Sequence, residues 1–177
     1  MRALRIERAE NREDLLIALE DLTEILHGCV HAGASIGFVL PFSHSNAQAF
    51  WIDQVCPAIQ KGETCLLLAR DAGRVLGTVQ LGLAMPSNQP HRADVAKMLV
   101  HPDARRRGIA RALMRALEQE ARARRKTLLV LDTRSGDAAA QLYASEGFRV
   151  AGEIPGYCRN PFDDRFEATT YMFKALA

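Results

Sequence analysis

Three observations on the sequence predict an α+β fold, with a mixed, mostly antiparallel sheet and one parallel crossover near its middle. First, a strand-like run at 93–100 (ADVAKMLV) precedes an amphipathic segment at 109–124 and a wholly apolar run at 127–131 (TLLVL). Strand, helix and buried strand in that order make a β-α-β unit, whose strands are parallel and whose helix crosses one sheet face. Second, two apolar, β-compatible runs at 64–69 and 74–83 are separated by Asp71-Ala72-Gly73, a hairpin signal with glycine at the tight position. Third, 177 residues that are 48% hydrophobic and 25% charged have the composition of an ordinary globular chain, and the length suits a single domain over 1–177. This composition excludes a disordered chain, a coiled coil and a collagen-like fibre.

The remaining elements follow in chain order. Residues 3–7 alternate charged and apolar side chains and read as a first strand. Asn11 can cap a helix, with Asp14 three residues on, and Leu15, Leu19, Leu22 and Leu26 fall at helical spacing, so one face of 13–27 is buried. The small-residue run 28–38 (GCVHAGASIGF) reads as a loop and 47–60 as a second helix. In the central helix, Ile109, Leu113, Ala116 or Leu117, and Ala121 form the core face, opposite Arg111, Arg115, Glu118 and Arg122. A further helix at 138–146 stops at Gly147, a suitable C-terminal cap. Strands at 148–154 and 168–174 close the chain, and 85–91 and 160–165 are loops.

Lys and Arg total 23 against 21 Asp and Glu, a formal net charge of +2. The balance is uneven: between Arg105 and Lys126 nine residues are basic and two, Glu118 and Glu120, are acidic. A helix carrying such a cluster is one route to nucleic-acid binding, but no aromatic stacking residue is interleaved and an amphipathic core face divides the arginines, so no nucleic-acid partner is expected. The first ten residues lack the apolar run of a secretory signal, and no apolar run approaches a membrane span. Cys29, Cys56, Cys65 and Cys158 form no C-x-x-C pair, which reads as buried, reduced thiols in a cytoplasmic protein with no membrane partner. The five histidines are not read as a metal-ligand set, so no metal is expected.

Between the central strand and helix lies His101-Pro102-Asp103-Ala104-Arg105-Arg106-Arg107-Gly108-Ile109-Ala110. A helix N-terminus presents unpaired N–H groups and a partial positive charge, which suits a phosphate. Gly108 lets backbone approach a ligand, Ala110 is small, and three arginines supply charge and forked donors. Alone, the same residues would also fit a solvated arginine face and a glycine that merely turns the chain. The Walker and dinucleotide glycine fingerprints are both absent.

Arg105-x-x-Gly108-x-Ala110, after a strand and opening a helix, resembles the Q/R-x-x-G-x-G/A motif of the GNAT acetyltransferases, and Ala139-x-x-x-Tyr143 with Gly147-Phe148 resembles that family's following helix. Gly136 stands where the family usually has Asn, seven residues before the tyrosine. The resemblance spans most of the chain. It implies the GNAT fold, with helices on both sheet faces, and acetyl-CoA as cosubstrate, its pyrophosphate held by Arg105, Arg106, Arg107, Gly108, Ile109 and Ala110. HAGASIGF (31–38), RADVAKMLVHPDARRRG (92–108), LLVLDTRSG (128–136) and GEIPGYC (152–158) are similar to the tabtoxin-resistance acetyltransferases, which acetylate a β-lactam amino-acid toxin.

Acetyl transfer to an amine needs a deprotonated amine, a donor for the carbonyl oxygen and a proton for the departing thiolate. The resemblance puts the backbone of Met98, Leu99 and Val100 beside the cosubstrate, where an N–H can stabilise the developing oxyanion. It makes Tyr143 the general acid, the alternative being a tyrosine packed on the helix's core face. Asp94 and Asp132 fall where related enzymes line the acceptor pocket with acidic groups; either can attract an ammonium or remove its proton, and Asp132 can equally cap the next turn. The expected partner is a small primary amine, an amino-acid-like toxin or antibiotic among them. Acetylation of a protein or peptide amine is the alternative, and a homodimer is compatible with the sequence.

Overall fold

The computed structural model describes residues 4–176. β1 (Arg5–Ala9), α1 (Arg12–Ile17) and α2 (Leu19–His31) open the fold, and α3 (His44–Ala49) runs through a π-helical turn at Phe50–Val55 into α4 (Cys56–Gln60). β2 (Thr64–Asp71), β3 (Arg74–Gly82) and β4 (Arg92–Val100) follow. After a 3₁₀ turn at Pro102–Ala104 come α5 (Ile109–Ala123), β5 (Leu128–Arg134), α6 (Ala138–Ser145), β6 (Arg149–Arg159) and β7 (Phe166–Ala175). The strands form one sheet in the order β1-β2-β3-β4-β5-β7-β6. Only β4 and β5 pair in parallel.

Each face of the sheet carries its own core. Leu15, Leu22, Ile25, Leu26 and Trp51 of the N-terminal helices pack on Leu66, Leu68 and Val75. Trp51 is fully buried, and its indole N–H is satisfied by the Leu22 carbonyl at 2.9 Å. On the other face Ile109, Leu113, Met114, Leu117 and Ala121 of α5 pack on Leu67, Val79, Leu81, Val95 and Leu129. This helix lies against β3 because residue 77 is glycine: a Cβ there would come within 3.0 Å of both Ile109 Cγ2 and the Leu99 carbonyl oxygen.

Two irregularities shape the middle of the sheet. The β4–β5 ladder holds only the pairs Arg92–Leu128, Ala93–Leu129 and Asp94–Val130, and the strands part beyond them. On the other side of β4, Thr78 lies opposite Leu99 but Gln80 opposite Ala96, so β4 carries one extra residue. Lys97 sits in that bulge with φ of 48°. The insertion switches the strand's faces: Val95 points into the α5 core and Leu99 into the α2 core, although residues four apart in an unbroken strand share a face. β6 lies at a sheet edge with every residue but Cys158 exposed, and its register slips at Val150/Gly152 and again between Ile154 and Cys158, across Pro155.

The expected elements all form, with shifted ends. The first strand occupies Arg5–Ala9 rather than 3–7, and Ala3 lies outside the described residues. The helix expected at 13–27 is two, because the chain tightens at buried Ala18, whose N–H is shared between the Asp14 and Leu15 carbonyls at 3.3 and 3.1 Å. The loop expected at 28–38 starts later: Cys29 and Val30 are core residues of α2, and Gly28 leaves room for the Pro102 ring, 3.3 Å from where a Cβ would be. The helix expected from 47 begins at His44, capped reciprocally by Ser43 and Asn46, and widens to π winding just ahead of Pro57, which has no N–H to donate. The 71–74 turn closes with Ala72 and Gly73 both at positive φ, as its hairpin requires.

Gly77→Ala should destabilise the protein by about 1–3 kcal/mol, through overpacking between β3 and α5. A chemical denaturation curve with an unchanged midpoint would show that this contact is not tight.

Candidate active site

The turn before α5 is built to present bare amides. Gly108 is the N-cap, in the left-handed region at φ 79°, with no side chain capping the helix and no acidic residue in its first turn. A Cβ at Gly108 would meet nothing within 4 Å, so the space in front of the helix is open. Such an end favours an anion, and an oxyanion of a phosphate is the size that reaches several N–H groups at once. Of the three preceding arginines, Arg107 is paired with Asp71 at 2.6 Å, while Arg105 and Arg106 have no carboxylate partner among the described residues. Arg105 lines the adjoining cavity, its Nη2 3.9 Å from the Cys29 thiol, which burial pushes up and so keeps protonated.

Further along α5 the basic cluster is largely neutralised. Arg111 and Arg115 both pair with Glu146 at the end of α6, Arg122 with Glu118, and Arg124 with Glu120. Lys126 donates to the Pro90 carbonyl at 2.8 Å. The basic residues of this segment without a carboxylate partner among the described residues are thus Arg105 and Arg106, beside the open glycine turn, and Arg125 and Lys126 past the far end of the helix.

Where β4 and β5 part, a cavity of about 460 Å³ opens between them. Met98, Leu99, Val100, Arg105 and Ala110 line it, and from Val95 onward the β5-facing edge of β4 has no ladder partner. Arg106, Arg107, Gly108 and Ile109 are outside its lining; the Ile109 side chain belongs to the α5 core. Tyr143, on α6, is buried at 7% exposure yet lines the cavity, and its hydroxyl makes no hydrogen bond among the described residues. Burial, with lesser contributions from Asp132 and Asp137, pushes the Tyr143 hydroxyl up to about 12, so it holds its proton.

The two candidate carboxylates part company. Asp132 lines the cavity with no ion-pair partner among the described residues and only a 3.5 Å contact from the Thr169 hydroxyl. Asp94 is not brought into the cavity lining, because it sits in the still-paired part of β4 and its carboxylate is held by Arg92. Asp137 also lines the cavity but is tied to Arg134 at 2.9 Å.

Several lining residues lie outside the motifs. Ser35, Ile36 and Gly37 roof one end of the cavity. That loop is pinned to the β6–β7 connection: Leu40 N–H donates to the Pro161 carbonyl at 2.9 Å, the Ser35 hydroxyl is 3.2 Å from Cys158 Sγ, and Gly33 lies against the Phe162 ring. Tyr157, also in the lining, shares a 2.7 Å hydrogen bond with the hydroxyl of Tyr171, which lies opposite Asp132 across β5–β7. Lys97 enters from the bulge. The runs HAGASIGF and GEIPGYC were the sequence signals for this wall; nothing in ADVAKMLV marks Lys97 as the bulged residue, since glycine is the residue that usually announces positive φ.

A family model described as the acetyltransferase (GNAT) family matches residues 19–148. The chain belongs to this family. A GNAT acetyltransferase is an acetyl-CoA-dependent enzyme, and the open space before α5 at Gly108 and the splayed β4–β5 cleft suit such a cosubstrate. An uncharacterized N-acetyltransferase in the hisH-hisA intergenic region of Azospirillum brasilense is 33% identical over 118 residues, covering 66% of this chain and 68% of the relative. The ribosomal-protein-alanine N-acetyltransferase of Brucella melitensis superposes with a TM-score of 0.79 at 26% identity, over 98% of this chain and 100% of that one. The yncA acetyltransferase of Salmonella typhimurium, solved with acetyl-CoA, shares the fold at a TM-score of 0.79 and 24% identity, over 99% of this chain and 95% of that one. No helix among the described residues is long and apolar enough to cross a membrane.

Tyr143 also makes stability pH-dependent. Its folded-state value of about 12 lies above the ordinary 10.0, so its contribution is complete below pH 10 and is lost as pH rises toward 12. Relative to Tyr143→Phe, the wild type should lose about 2 kcal/mol over that interval; parallel pH–stability curves for the two proteins would place the hydroxyl in water instead.

Proposed function

We propose that this GNAT enzyme transfers the acetyl group of acetyl-CoA to the primary amine of a small molecule, with an amino-acid-like toxin or antibiotic of the tabtoxin kind as one candidate acceptor. The observation that carries the reading is the cavity at the β4–β5 splay, with a bare helix end at one side and a pinned loop over the other. Acetyl-CoA supplies an activated acyl carbon and a thiolate leaving group. The amides at Gly108, Ile109 and Ala110, with Arg105 and Arg106, bind its phosphates. A backbone N–H on the β5-facing edge of Met98–Val100, which has no ladder partner, polarises the thioester oxygen, where a positioned N–H acts most strongly.

Tyr143 gives its proton to the leaving sulfur. A buried, protonated phenol facing the cavity suits that task across the neutral range. Asp132 attracts the acceptor ammonium and, directly or through water, takes its proton before attack; Asp94, held by Arg92, shapes the electrostatics of the acceptor side. The second reading is acetylation of a protein N-terminus, favoured by the likeness to the Brucella melitensis ribosomal-protein-alanine N-acetyltransferase. Against it stands the roof loop, whose tie from Leu40 to Pro161 restrains the chain that covers the cavity at Ser35–Gly37.

A free-thiol assay over a panel of small primary amines and N-terminal peptides tests the reading: turnover should favour small amines, and preference for peptides would establish the second reading. Gly108→Glu should abolish measurable acetyl-CoA binding by calorimetry, since a carboxylate would occupy the anion site; unchanged affinity would overturn the placement. Tyr143→Phe should lower kcat about 100-fold or more with little change in acetyl-CoA affinity, and an unchanged kcat would remove the acid role.

A further inference from the structure

Lys97 is an unusual side chain to find in a cavity wall. It occupies the bulge of β4 at φ 48°, where an L-residue is strained, and its long side chain is largely buried. Nζ donates to the Ile36 carbonyl at 2.9 Å and lies 5.5 Å from the ring centroids of both Phe38 and Phe50. It forms no ion pair with a carboxylate among the described residues, although the other cavity cations do better or are exposed: Arg105 opens to solvent at the glycine turn. A buried ammonium without a counter-ion is costly, and a protein keeps one where something supplies the missing charge.

Burial lowers the Lys97 value, and Asp132 across the cavity opposes that shift. The Ile36 carbonyl and two aromatic faces also favour a cation at this place. An ammonium so held is a donor, with hydrogens left over after Ile36 takes one. Asp132 is the matching case of opposite sign: a cavity carboxylate without an ion-pair partner. One cavity therefore holds a part-buried cation under the roof loop and, on β5, an exposed anion, neither with an ion-pair partner among the described residues.

We propose that Lys97 is the specificity-determining residue of the acceptor site, binding the carboxylate of a zwitterionic acceptor whose amine is directed to Asp132. The acceptor class is then an amino acid or a close analogue, in which amine and carboxylate are separated by a few bonds. Binding pairs both charges at once and, once Asp132 has taken a proton from the ammonium, leaves the free amine beside the cleft where the thioester lies. The proposal rests on the acetyl-transfer reading above and deepens it.

The test compares wild type and Lys97→Met on free amino acids, their methyl esters and the corresponding decarboxylated amines, by thiol release and, separately, by calorimetric binding of the acceptor alone. Wild type should prefer the free acid by about 10- to 100-fold in kcat/KM, mostly through KM, as a charge-assisted hydrogen bond would give. In Lys97→Met that ratio should fall to near one. Turnover of amines with equal efficiency for acid, ester and decarboxylated forms by the wild type would overturn the proposal and leave the acetyltransferase reading intact. Lys97-dependent binding of free acids without any thiol release would do the reverse. The ester series uses the unmodified protein, so a poorly folding variant does not remove the test.

Discussion

Three residue pairs join the two halves of this sheet, and nearly everything functional follows from where that joint stops. A β-ladder satisfies backbone groups as long as it continues, and ending one inside a sheet leaves donors and acceptors unpaired in a sheltered place. Here the ladder between β4 and β5 ends at Asp94 and Val130, and the unpaired edge borders a cavity rather than solvent alone. The α5 packing keeps it so: Ile109 and Leu113 press on Gly77, while Leu129 and Val95 tie both strands to the same helix core. The cleft is thus held open by two well-filled interiors on either side of it.

The bulge at Lys97 does a second job for the same cleft. By adding one residue to β4 it changes which core each half of the strand serves, with Val95 in one and Leu99 in the other. An unbroken strand would bury Leu99 on the α5 side and turn Met98 and Val100 to the α2 face instead. The strain of a lysine at positive φ is accepted at the point where the chain changes sides, and the same geometry carries its side chain under the roof loop.

Much of this was legible in the sequence, and the limits are physical. Apolar periodicity located α5 and β5, and Asp71-Ala72-Gly73 located the hairpin, because those signals are local. Arg105, Gly108 and Ala110 announced the anion turn, and Tyr143 was reachable from its spacing to Gly147 and Phe148. Lys97 was not legible, since a bulge depends on the partner strand's register, and the lysine reads as one more polar residue in an ordinary strand. Nor was the pinning of the roof loop, which joins Ser35 to Cys158 and Leu40 to Pro161 across more than half the chain's sequence. Asp94 and Asp132 looked equivalent from sequence; an arginine two residues upstream on the same strand made them different.

One consequence of the β6 edge remains. An outer strand with free N–H and C=O groups is an open invitation for another chain to zip onto it, and Val150 and Ile154 at 63% and 45% exposure would reward such pairing. The two slips in register and Pro155, which has no N–H to offer, keep those groups from repeating at the interval a docking strand requires. The hairpin that walls the cavity can therefore stand out in water, apolar side chains and all, without seeding fibre growth.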